Sequence, residues 1–170
     1  MPIELILPVS MVLAIFAWGL AFAWYVHPRL RVLSLEHALR PLLLLHGFRY
    51  VGLMFLIPGV TSEPLDLRFA APAAYGDLVA ALLALAAIAA FRLGRSPGIA
   101  LVWLFNVWGL ADLVNAVARG LRFTPDGALG ATFWIPALIV PLLLVSHVYI
   151  FQRLVTEHRL RRMAVTGQGA

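Results

Sequence analysis

Five long apolar segments dominate this chain, at residues 3–26, 39–57, 73–93, 98–118 and 133–155. Each is close to the roughly 20 residues that carry an α-helix across a bilayer. Lipid offers a backbone no hydrogen-bond partners, so such segments must satisfy themselves as helices. Only 12% of the residues are charged, against about 25% in a soluble domain. The expectation is an all-α polytopic membrane protein, a bundle of five transmembrane helices in a single domain over 1–170. Residues 163–170, ending in TGQGA, are expected to be a disordered tail.

The breaks between segments carry recognisable punctuation. The first segment has a rival reading as a signal peptide, because Ala21-Phe22-Ala23 resembles a cleavage site. No basic residue precedes it, however, and its apolar run is too long for that role. It reads as a retained span. The second follows a short interfacial helix, is bent or started by Pro41, and stops at Pro58-Gly59. The third opens at Pro72, and its alanine-rich middle, AALLALAAIAA, suits close packing on several sides. Ser96-Pro97 opens the fourth as cap and first-turn proline. Thr132 caps the fifth, where Pro136 fits the first turn and Pro141 should kink the helix.

Charge sets the expected orientation. All 13 basic residues are arginines. Nine of them fall on one side: Arg29, Arg31, Arg40, Arg92, Arg95, Arg153, Arg159, Arg161 and Arg162. Arg68, Arg119 and Arg122 fall on the other. The positive-inside rule then places the N-terminus outside and the C-terminus in the cytoplasm. Arginines at helix ends meet lipid headgroups rather than nucleic acid. The lysine-free, Ala/Arg/Leu/Gly-rich usage points to a bacterial inner (cytoplasmic) membrane. Cysteine is absent, which removes disulfides and thiolate chemistry. Gly19 and Ala23 form a small-xxx-small face through which a homo-oligomer could pair.

Polar residues inside the spans are the functional candidates. The stretch LLLLHGFRYVGLMF puts His46, Arg49 and Tyr50 at i, i+3 and i+4, one face of an α-helix. Trp108, Asp112, Asn115 and Arg119 share a face of the fourth helix by the same rule. Asn106 is rotated about 120° from Asp112 and faces a different neighbour. Counting 1.5 Å per residue places His46, His147 and Asn106 in an inner layer and Asp112, Asn115 and Asp77 in an outer one. Arg49 lies between. A charge at mid-span costs about 2.5–3.5 kcal/mol on the insertion scale, so it needs a partner in the finished bundle. The expected partner is Asp112, roughly 6 Å higher, with Asn115 or Tyr50 bonded to the pair. Asp77, beside Gly76, reads as a hydrated charge near a helix N-terminus.

Three functions fit this pattern. The leading one is a site for a small solute, ion or protons, since histidine titrates near neutrality and suits a relay. The alternative is a haem b electron carrier with His46 and His147 as axial ligands. The third is a structural or accessory membrane subunit. Enzyme chemistry is disfavoured: there is no HExxH or GxSxG motif, and a zinc site would need Asp112 or Asn106 at mismatched depth.

Overall fold

The structure, a computed structural model, describes residues 2–167, without the side chains of residues 161 and 164–167. Five helices are long and apolar enough to cross a membrane: α1 (Ile3–Leu30), α2 (Leu35–Leu56), α3 (Leu67–Ala90), α4 (Arg95–Phe123) and α5 (Gly130–Leu160). The described residues contain no strand. Beyond its apolar part, α5 continues as helix to Gly167, past the start of the expected tail; residues 168–170 lie outside the described residues.

The observed helices begin earlier than hydropathy alone suggests, by four residues in α2 and by six in α3. What appeared as an interfacial helix before Pro41 is continuous with α2, and Pro41 lies inside it. Pro72 likewise lies inside α3, which starts at Leu67. Asp66 is the reason for that start. Its carboxylate accepts the Arg68 amide at 2.8 Å, satisfying a first-turn donor, and the Arg68 guanidinium closes over it. Those bonds hold the Asp66 carboxyl down at about 2.

Three helices depart from α geometry. The second half of α2, Phe48–Leu56, is a 3₁₀-helix, far longer than the three or four residues usual for that form. π-turns occupy Phe22–Val26 and Ile135–Ile139, each ending shortly before a proline, Pro28 and Pro141. Proline has no N–H to donate and its ring crowds the preceding turn, so the turn widens there. The irregularity expected at Pro141 thus lies in the residues before it. Trp18 of α1 donates its indole N–H to the Leu138 carbonyl in that turn, at 3.1 Å.

Helix α3 lies at the centre, between α2 and α4. Ala73, Ala74, Ala80, Ala84 and Ala87 are all essentially inaccessible, so small side chains do allow close approach here. Helix α5 packs on α1, α2 and α4. Helix α1 is peripheral, with Val12, Leu13 and Phe16 facing outward. At the end where α1 meets α2, Arg153 of α5 donates to the Leu30, Arg31 and Leu33 carbonyls at 2.9–3.2 Å.

Candidate functional site

Arg49 is the centre of the interior, with 1% of its surface exposed. Its guanidinium is surrounded on every donor edge. Nε donates to Asp77 Oδ1 at 2.7 Å and Nη2 to Asp112 Oδ2 at 2.7 Å. Nη1 donates to the Gly109 carbonyl at 3.1 Å and faces His147 Nε2 at 3.4 Å. Four acceptors for one fork is the arrangement that a desolvated guanidinium requires.

The local structure explains how these groups meet. A 3₁₀-helix turns 120° per residue, so residues three apart stand in line. The buried residues of that segment are Arg49, Gly52 and Phe55, which is this period of three. The 3₁₀ rise of about 2.0 Å puts Arg49 roughly 14 Å from the Leu56 end of α2. Asp77 lies about 15 Å from the start of α3, and Asp112 about 16 Å from the end of α4. The three charged groups are level.

Three glycines make room for them. A Cβ on Gly76 would lie 1.7 Å from Asp112 Oδ1, and one on Gly52 would lie 2.2 Å from Asp77 Oδ2. One on Gly109 would lie 2.7 Å from His147 Cε1 and 2.9 Å from Arg49 Nη1. Each of the three helices that contribute a charge to the trio, α2, α3 and α4, leaves out a side chain at the point of contact.

Below the trio sits the histidine layer. His147 Nδ1 lies 2.6 Å from Asn106 Oδ1, while Asn106 Nδ2 donates to the His147 carbonyl at 3.2 Å. The amide oxygen therefore accepts from Nδ1–H, which leaves the Nε2 lone pair directed at Arg49. His46 Nε2 is 2.8 Å from Ser146 Oγ, which donates to the Leu143 carbonyl at 2.8 Å. His46 Nδ1 is buried without a partner. The two imidazoles pack on each other with centroids 4.3 Å apart, and Phe105 lies against both.

Of the expected site residues, His46, Arg49, Asn106, Asp112 and His147 come together. Asn106 faces α5 while Asp112 faces α2, as their rotation on α4 implied. The expected Arg49–Asp112 pair is present. Tyr50 is not in the site: it is half exposed, because the 3₁₀ turn swings it 120° away from Arg49. Trp108 is 45% exposed and points outward. Asn115 is exposed and accepts from Arg119 Nε instead of the pair. Asp77, read as a hydrated end charge, is Arg49's second carboxylate. Ser146, next to His147 in sequence, points away from it and bonds His46 across the bundle. Two imidazoles in contact, with centroids 4.3 Å apart, leave no room for a macrocycle between them, and His147 turns its lone pair to Arg49. This geometry does not fit a bis-histidine haem.

A cavity of about 480 Å³ opens beside the trio, at the end of the bundle that holds the start of α1. Its deep end reaches Asp77, and Glu4 and Asp126 line it near the chain's exposed loops.

A family model described as a domain of unknown function (DUF8737) matches residues 6–155. The chain belongs to that family. Neither a curated protein nor a solved structure matches it.

Proposed function

We propose that this family member is a multi-pass membrane protein, N-terminus outside and C-terminus cytoplasmic, whose Arg49–Asp77–Asp112 trio exchanges protons and serves a small solute held in the adjoining cavity. The observation that carries the reading is a guanidinium buried at mid-helix between two carboxylates, one of which lines a cavity. With both carboxylates ionised the trio has a formal charge of −1, and one bound proton cancels it. Such an imbalance is costly in hydrocarbon, so the trio favours a compensating proton or cation. A purely structural clip needs one carboxylate, and this one has two.

The histidine layer supports the trio from the cytoplasmic side. His147 offers a neutral acceptor to Arg49 and is itself oriented by Asn106, so the guanidinium is held between fixed groups.

Infrared difference spectroscopy of the purified protein in lipid, across a pH step, tests this. A protonated-carboxyl band should appear on acidification and be lost or displaced in Asp77→Asn and Asp112→Asn. If no carboxyl band changes over the stable pH range, or if both variants leave it untouched, the trio is a fixed structural clip.

A further inference from the structure

The cavity wall states what kind of solute would suit it. Its surface is mostly apolar, built from side chains such as Leu7, Met11 and Leu113. Phe55 and Phe69, with ring centroids 5.2 Å apart, and Phe133 add aromatic faces. The ionisable residues that line it are Glu4, Asp77 and Asp126, all acidic; no lysine, arginine or histidine is among them. Glu4 and Asp126 enter no ion pair among the described residues. Thr124 Oγ, also in the lining, is buried without a hydrogen-bond partner.

These features select by elimination. An anionic solute would meet three carboxylates, and the nearby guanidinium of Arg49 is already bonded to Asp77 and Asp112. A bare metal ion would exchange its water for hydrocarbon with no cluster of ligands to replace it. A neutral solute would leave the acidic bias unused. A cation whose charge is spread over an apolar body gains on each count. The aromatic faces attract it, the carboxylates offset its charge, and its body displaces water from the wall. The volume is in the range that holds a drug-sized molecule.

We infer that the cavity bounded by α1, α3, α4 and the start of α5 binds a lipophilic organic cation, admitted past Glu4 and Asp126 and held with its charge towards Asp77. This rests on the solute-handling reading above and names the solute's chemical class.

The test is equilibrium binding of radiolabelled tetraphenylphosphonium to the full chain in lipid nanodiscs, corrected for empty discs. Tetraphenylborate, the same shape with opposite charge, is labelled and measured in parallel on separate samples. Binding of the phosphonium should be saturable and that of the borate should not. Glu4→Gln and Asp126→Asn, both exposed positions that leave the interior intact, should each weaken phosphonium binding about fivefold. Ala116→Phe, which fills the cavity, should abolish it. Absence of saturable phosphonium binding, equal saturable binding of the borate, or unchanged affinity in the two charge variants would each overturn the inference. Proton exchange is read separately by the carboxyl band, so either reading can fail while the other stands.

Discussion

Single atoms decide whether the buried trio can exist. Gly76 has to lack a Cβ because the space is taken by Asp112 Oδ1. Gly76→Ala gains about 1 kcal/mol of helix propensity but must displace the carboxylate. Breaking one arm of a buried ion pair costs about 3–5 kcal/mol, so a net loss of about 2–4 kcal/mol is expected. Thermal unfolding in detergent measures it, with Gly19→Ala as the control, since nothing lies within 4 Å of a Cβ there. Equal melting of the two variants would show that the glycine is incidental. Arg49→Met should be at least as damaging, because it leaves two carboxylates buried without a countercharge. Asp112→Asn keeps an acceptor for Nη2 and should cost less. Sequence reasoning found Arg49, Asp112 and both histidines because charge in an apolar run is conspicuous. It missed Asp77 because depth was counted from Ala73. The true start at Leu67 lies six residues earlier, about 9 Å of helix. The Asp66 cap followed by Arg68 was the signal that marks this start.

At the level of elements, the long apolar helices were legible and the irregular ones were not. Hydropathy sees length and polarity, so it gave the number and order of the spans. It has no term for the period of three in Phe48–Leu56, where residues 49, 52 and 55 are buried together. An α-helical period joins Arg49 to Tyr50 through His46; the 3₁₀ period joins it to Gly52 and Phe55. These registers make opposite predictions. Phe55→Ala should destabilise by at least about 2 kcal/mol, because it empties a packed position. Tyr50→Ala should stay within about 0.5 kcal/mol, as an outward-facing substitution does. The reverse ranking in thermal melts would restore the α register. The start of α3 gives a pH dependence. The Asp66 carboxyl is held at about 2, below its unfolded value, by Arg68. Its contribution is therefore complete above the unfolded value of about 3.9 and is lost as pH falls from there through 2. Wild type and Asp66→Asn should accordingly differ in melting temperature at neutral pH and converge in acid; a constant gap would mean that charge is not what caps the helix.

For the whole molecule, the unequal ends carry the functional argument. Nine arginines mark one end, while the cavity and its acidic mouth open at the other. A lipophilic cation reaching the trio from outside needs this orientation, with the start of α1 exposed to that side. The absence of cysteine makes the orientation directly measurable. Glu63, between α2 and α3, and Leu93, between α3 and α4, are both exposed and lie at opposite ends of α3. In intact cells a membrane-impermeant maleimide should label Glu63→Cys and spare Leu93→Cys until the membrane is opened. Labelling of Leu93→Cys alone would turn the bundle over. The acidic mouth would then face the cytoplasm and the arginine-rich end the outside, and the trio would be reached from the cytoplasm. Labelling of both in intact cells would mean that α3 does not cross the bilayer. Arg49, Asp77 and Asp112 would then have no hydrocarbon to be shielded from, and the cost that makes their pairing significant would vanish.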